Sequence, residues 1–443
     1  MPRSLLLAAL FLSAALVCTP LRAAESVTQF ALPNGLQVVV IPDRRAPVVT
    51  QMIWYKVGAM DDPPGHSGLA HFFEHMMFRG TKAEPGDSFS RLVAKNGGED
   101  NAFTTEDYTA FYVQIAKPRL KLALSLEADR MTHLELSDAS VATERDVVLE
   151  ERRLRVDNSP AALAAEQVDA ALYLSHPYGR PVIGWPAEVR RLGRTEAQAF
   201  YNRHYAPNNA ILVEVGDVTP QEVRAAVSAT LALVPARALD PRPSYAEPER
   251  LGPTRLAIAS PDTTVPSFSR SWRVASYVEE KPGQAEALDV LAALLGGDAN
   301  AVLYRRLVVE QKLATDAGAS YDGIARNAGV FSVYAVPRPG VSLPQLEHAV
   351  DAILAGFART APAAADLAHI KTELVANEVY RRDNQLSLAT AYGQSLAIGR
   401  TVADVQDWPR RIRAVSAEAV RAAAMDELVP RESVTLYLTP GRS

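Results

Sequence analysis

Between residues 27 and 55, apolar and polar positions alternate in two runs parted by a turn. Gln37-Val38-Val39-Val40-Ile41 follows Asn34-Gly35, a dipeptide suited to tight turns, and residues 50–57 alternate again, so the pattern predicts strand, turn, strand. From about Ser67 the period becomes helical. It recurs at residues 119–133, 141–155, 161–174, 196–205 and 220–231, with a strand expected at 210–215. Strands therefore come in groups with helices between them, which fits an α+β fold better than a regular βαβ array.

Residues 234–254, VPARALDPRPSYAEPERLGPT, hold five prolines among charges and small residues and read as a linker. After it the order repeats. A strand-like stretch with a tryptophan at 267–274 echoes residues 51–57, and helical periods follow at 283–295 and 301–311. A duplicated lobe is the simplest explanation of this recurrence. The expected architecture is α+β, with two homologous lobes, each a mainly antiparallel sheet packed with helices, joined by a Pro-rich linker. Residues 24–235 form the first lobe, 236–254 the linker and 255–443 the second lobe.

At 443 residues, 48% hydrophobic and 22% charged, the composition is that of a soluble globular chain too long for one ordinary core. Residues 1–23 stand apart: a short basic start at Arg3, an apolar run from Leu5 to Val17 and a small-residue exit make a secretory signal peptide. The expected location is periplasmic or secreted, without a stable membrane span. The single cysteine, Cys18, lies in this segment. A lipid anchor there ranks second, because Val17 is bulkier than such processing favours. The mature chain then holds no thiol, so a metal would have to be bound by His, Asp or Glu. Removing Arg3 and Arg22 changes 46 basic against 51 acidic residues to 44 against 51, a formal charge of −7. No basic cluster with interleaved aromatics points to nucleic acid.

Chemistry concentrates in Ser67-Gly68-Leu69-Ala70-His71-Phe72-Phe73-Glu74-His75-Met76-Met77-Phe78-Arg79-Gly80-Thr81. At about 100° per residue, Leu69, Phe72, Phe73, Met76 and Met77 gather on one helix side while His71, Glu74, His75 and Phe78 gather on the other. Two histidines at i and i+4 have Cβ atoms about 5–6 Å apart, which lets both imidazoles reach one Zn²⁺. A lone histidine is more often a satisfied core or surface residue, and His66, His133, His176 and His204 are read that way. His348 and His369 in the second half also lack a nearby histidine partner in sequence. A third ligand is sought in Thr143-Glu144-Arg145-Asp146-Val147-Val148-Leu149-Glu150-Glu151. Seven residues make nearly two turns, so Glu144, Val148 and Glu151 share a face. Spacing alone leaves Glu144 and Glu151 both open, whereas Glu150, Arg152 and Arg153 read as solvated charge.

The stretch from Gly68 to Thr81 resembles the inverted zinc motif of the pitrilysin-type metallopeptidases, the inverzincins, which include insulysin and the mitochondrial processing peptidase. Further likenesses cover nearly all of the first lobe: Asn101-Ala102-Phe103-Thr104, Glu144-Arg145 with Glu151, His176-Pro177-Tyr178-Gly179, and Tyr205-Ala206-Pro207-Asn208-Asn209-Ala210. The resemblance implies a zinc endopeptidase with one Zn²⁺ per chain on His71, His75 and Glu151, and with Glu144 orienting a ligand. Glu74 would take the proton of the attacking water and pass it to the leaving amine. An edge strand carrying Asn101, Ala102, Phe103 and Thr104 would pair with an extended peptide substrate.

One departure stands out. Active two-lobe members carry an arginine and, seven residues on, a tyrosine in the later half. Aligned on Leu313-Ala314, those positions are here Val308 and Thr315, and neighbouring Tyr304, Arg305 and Arg306 read as packing and surface charge. The resemblance therefore implies a homologous partner subunit supplying the pair as a heterodimer, with a homodimer as the other assembly. A non-catalytic scaffold retaining zinc is the alternative function. The full set of His71, Glu74, His75 and Glu151 favours catalysis, since a structural zinc closes its fourth position with protein.

Overall fold

The structure, a computed structural model, describes residues 27–278 and 282–441. The expected signal peptide lies outside the described residues. Six strands form a first sheet: β1 (Thr28–Ala31), β2 (Gln37–Pro42), β3 (Val48–Tyr55), β4 (Glu99–Thr104), β5 (Thr109–Ala116) and β6 (Ala210–Gly216), in the order β1-β2-β6-β3-β5-β4. Five form a second: β7 (Thr254–Ser260), β8 (Ser267–Val274), β9 (Ala314–Asp322), β10 (Gly329–Pro337) and β11 (Ser433–Pro440), in the order β7-β11-β8-β10-β9. With β1 set aside the two orders are the same: first, last, second, fourth, third. The recurrence in sequence is thus a recurrence of topology, and Trp54 on β3 and Trp272 on β8 occupy corresponding central strands. Each sheet is antiparallel except where its first and last strands meet, β2 with β6 and β7 with β11. A parallel pair needs a long crossover, and the body of each lobe supplies it.

Each lobe's helices cover one face of its own sheet, giving two separate cores. The other faces are covered by exchange. Helix Gln385–Ala397, late in the chain, lies on the first sheet, where Leu388, Tyr392 and Leu396 meet Val39, Met52, Trp54, Ile211 and Val213. Reciprocally, helix Pro160–Leu172 of the first half brings Ala164, Val168 and Leu172 against Val434, Leu436 and Leu438 of β11. At about 1.5–3 kcal/mol for each large apolar side chain buried, these two patches make the lobes one folding unit. Residues 235–250 form no helix or strand. They are nonetheless fastened to the first lobe: Arg242 Nε donates to Asp61 Oδ1 at 3.1 Å, and Glu247 Oε2 accepts from the backbone N–H of His176 at 2.7 Å.

The helical periods appear close to their expected places, at Leu120–His133, Asp138–Arg152, Pro160–Leu172, Arg194–His204 and Pro220–Ser228. Residues 301–311 differ in form, since Tyr304–Glu310 winds in wide π turns. Phe78 also departs from expectation. The helix stops at Met76, and the Phe78 ring packs edge-on against Phe89 at the border of the first-lobe core.

Gly393 marks the tightest point of the exchange: a Cβ there would lie 2.0 Å from the Trp54 ring. Alanine at a helix interior is ordinarily better than glycine by about 1 kcal/mol. Here the clash reverses the sign, so Gly393→Ala should lower the melting temperature by several degrees in a thermal unfolding scan, whereas Gly356→Ala, which meets no neighbour, should raise it or leave it unchanged.

Candidate metal centre

The histidine helix, Leu69–Met76, begins where its sequence lets it. Gly68 takes φ +87°, and a Cβ there would meet the Ile183 carbonyl at 2.7 Å, so only glycine permits this approach to the 183–184 backbone. The first turn's free N–H groups are satisfied by buried Asp62, whose Oδ2 accepts from Gly68 N at 2.7 Å and Oδ1 from Ala70 N at 2.8 Å. Leu69, Phe72, Phe73 and Met76 then anchor one side in the core. The opposite side carries His71, Glu74 and His75, with the imidazole centroids 4.9 Å apart.

Helix Asp138–Arg152 crosses beneath and supplies two carboxylates of different kind. Glu144 is only 1% exposed. Its Oε1 accepts from His75 Nδ1 at 2.8 Å and its other oxygen pairs with Arg79. This bond sets the His75 tautomer and turns Nε2 outward. Two turns on, Glu151 Oε1 pairs with Arg155 at 2.6 Å, while Oε2 lies 3.1 Å from His75 Nε2 and 3.7 Å from His71 Nε2. That Oε2 is buried and has no hydrogen-bond partner. The three donor atoms fall within 4.8 Å of one another, the one such group among the described residues. An orphaned carboxylate oxygen facing two imidazole nitrogens is poor protein on its own terms, and the trio is a donor set that could hold a metal ion.

Electrostatics agree with this geometry. Burial, with His75 beside it, brings His71 down to about 4. Burial also opposes the His75 imidazolium, but Glu144 and Glu151 outweigh it and hold His75 at about 9. The His75 ring that faces it keeps Glu151 below the usual carboxylate range despite partial burial. Glu74 is raised by burial, against the pull of a hydrogen bond from Thr104, whose Oγ1 donates to Glu74 Oε2 at 2.6 Å.

The other expected residues are distributed as follows. β4 is the outer strand of its sheet, so Asn101, Ala102, Phe103 and Thr104 lie along a free edge. Ala102 and Thr104 face the histidine helix, whereas Phe103 packs edge-on against Trp54 and Asn101 is exposed. Glu150 and Arg153 are exposed and pair with each other, as expected of a solvated face. Arg152 does not follow that expectation. It is 2% exposed, forms two bonds to Glu166 at 2.6 and 2.8 Å, and donates to the Gly184 carbonyl at 2.9 Å. Lying one turn after buried Val148, it falls on the inner face and ties this helix to the loop that abuts Gly68. In the second lobe Val308 is buried in the core, Thr315 lies exposed on β9, and Arg305 and Arg306 pair with Glu310. Sequence reasoning missed Asp62, Arg79 and Arg155. Only Asp62 carried a local signal, an acidic residue just ahead of a helix start.

Residues 37–185 match the model described as Insulinase (Peptidase family M16), and residues 191–374 match the Peptidase M16 inactive domain. The chain belongs to the peptidase M16 family. It is 28% identical over 420 residues to the zinc protease PqqE of Helicobacter pylori, covering 94% of this chain and 93% of that protein. It is 31% identical over 324 residues to a Mycobacterium leprae protein named an uncharacterized zinc protease, covering 71% of this chain and 70% of that one. Among solved structures, a protease from Helicobacter pylori superposes with a TM-score of 0.88 at 26% identity, over 94% of this chain and all of that one, 100%. Among the described residues, no helix is long and apolar enough to cross a membrane.

The hold of Glu144 on His75 can be read without metal. In the metal-free protein His75 should titrate near 9 by histidine NMR. Glu144→Gln should bring it well down toward the ordinary value of about 6.5, because the amide keeps a hydrogen bond but removes the charge.

Proposed function

We propose that this chain is the zinc-bearing subunit of an endopeptidase acting on peptides or unfolded segments. One observation carries the reading: the buried, unpartnered Glu151 Oε2 set against the Nε2 atoms of both His71 and His75. His71, His75 and Glu151 would hold one Zn²⁺, and Glu144 would keep His75 in its ligating tautomer. When bound, zinc would polarise the scissile carbonyl and acidify a water. Glu74, half-buried and outside the donor trio, takes the water's proton and delivers it to the amine nitrogen as the C–N bond breaks. The free edge of β4, with Asn101 to Thr104, binds the substrate backbone as an added strand, giving affinity with modest side-chain selectivity.

The second lobe, residues 255–443 beyond the linker at 236–254, serves as wall and docking surface. Val308 sits in its core and Thr315 is too short to replace a tyrosine, so a homologous subunit would supply the arginine and tyrosine in a heterodimer. Without such donors to the developing oxyanion, rates fall by about 10²–10³ each. The leader-like residues 1–23 support a periplasmic or secreted location.

Metal analysis should find one zinc per chain, with Glu151→Gln losing far more of it than Glu150→Gln; equal retention would remove Glu151 from the site. Glu74→Gln should keep the zinc and lose at least about 10²-fold in peptide turnover.

Partner dependence is read separately, by light scattering and a peptide-cleavage assay on the chain alone and on the complex that co-purifies with it. The expected result is weak activity alone and strong activity in a mixed dimer. A fully active monomer or homodimer would overturn partner dependence, and a zinc-loaded complex with no cleavage would favour the scaffold reading.

A further inference from the structure

A general base must be held as well as present, and the backbone around Glu74 shows what holds it. The carboxylate makes one hydrogen bond among the described residues, the 2.6 Å contact from Thr104 Oγ1 to Oε2. Thr104 is the last residue of β4, the strand whose other edge is free. It sits in register opposite Thr109 of β5, and the two hydroxyl oxygens are 3.3 Å apart. Thr109 commits its own proton to the Val57 carbonyl at 3.0 Å.

A hydroxyl has one proton to give. Thr104 therefore gives it to Glu74, the shorter and charge-assisted contact, and Thr109 gives its proton away from the site. The position of Thr104 Oγ1 is fixed by the β4–β5 ladder and by a β-branched side chain with restricted χ1. Glu74 Oε2 is thereby occupied, and Oε1 is the oxygen left without a partner.

We propose that Thr104 is a positioning residue for proton transfer, holding Glu74 through Oε2 so that Oε1 alone accepts the proton, and that it links the substrate-binding edge of β4 to that base. This rests on the reading of Glu74 as the base. The balance is simple: one water O–H breaks with its proton passing to Oε1, the water oxygen bonds the carbonyl carbon, and as the C–N bond breaks the proton leaves Oε1 for the amine nitrogen. A peptide added along β4 fixes the strand that carries Thr104, so the base is set when substrate is in place.

The test uses the zinc-loaded chain with the proteins that co-purify with it, assayed on a quenched-fluorescence peptide. Thr104→Val keeps shape and loses the hydroxyl. It should lower kcat about 10- to 100-fold with KM changed less than about threefold and zinc content unchanged, and Thr104→Ser should recover most of the loss. In a Glu74→Gln background, Thr104→Val should cost almost nothing further, since the two act as one unit.

An activity-independent reading comes from the metal-free protein with labelled threonine. It should show a slowly exchanging Thr104 hydroxyl proton that disappears in Glu74→Ala. An unchanged kcat in Thr104→Val beside an inactive, zinc-loaded Glu74→Gln would overturn this inference and leave the base intact. An active Glu74→Gln would overturn the base itself. A defect in KM alone, or no recovery by serine, would make Thr104 a substrate contact or a strand former and refute the positioning role.

Discussion

Everything at the candidate metal centre hangs on one carboxylate that water scarcely reaches. Glu144 lies between two crossing helices and is engaged on both oxygens, by the His75 ring on one side and Arg79 on the other. Burying a carboxylate unpaired would cost several kcal/mol, and paired burial is tolerated only when its oxygens are satisfied. The two partners meet that condition. In return the pair fixes the crossing of the helices and the rotation of the ring, and so places the second nitrogen of His75 against Glu151. A residue at 144 with no acceptor for the ring N–H would leave the ring free to turn and the trio without a common focus.

The histidine helix was legible because its signal is local. Two periodicities, one apolar and one chemical, are superimposed on eight residues and need no distant information. The spacing of Glu144 and Glu151 was legible to the same degree, but not which of them faces the open side. That depends on where the helix lies relative to His75, and the family likeness, not the period, preferred Glu151. Arg152 shows the limit from the other direction. A charged residue among charged residues reads as surface, yet its guanidinium is buried because Glu166 and the Gly184 carbonyl, remote in sequence, meet it there. The strand order was beyond the sequence as well, because neighbours such as β2 and β6 are separated by most of a lobe.

The two lobes repeat one topology but divide the chemistry. The first places ionisable groups on a helix that its own core pins in position. In the second, the stretch from 304 to 310 turns its one candidate position, Val308, inward. The match of residues 191–374 to an inactive domain fits this division. Duplication thus supplied a second framework of the same shape, in which the cluster of His71, His75 and Glu151 has no counterpart among the described residues.

The exchange of helices between lobes also dictates the order in which this protein can be completed. A ribosome delivers the first sheet long before it delivers residues 385–397, and until then Trp54, Ile211 and Val213 have no cover on that face. The nascent first half is therefore sticky, and its maturation waits for residues 385–397.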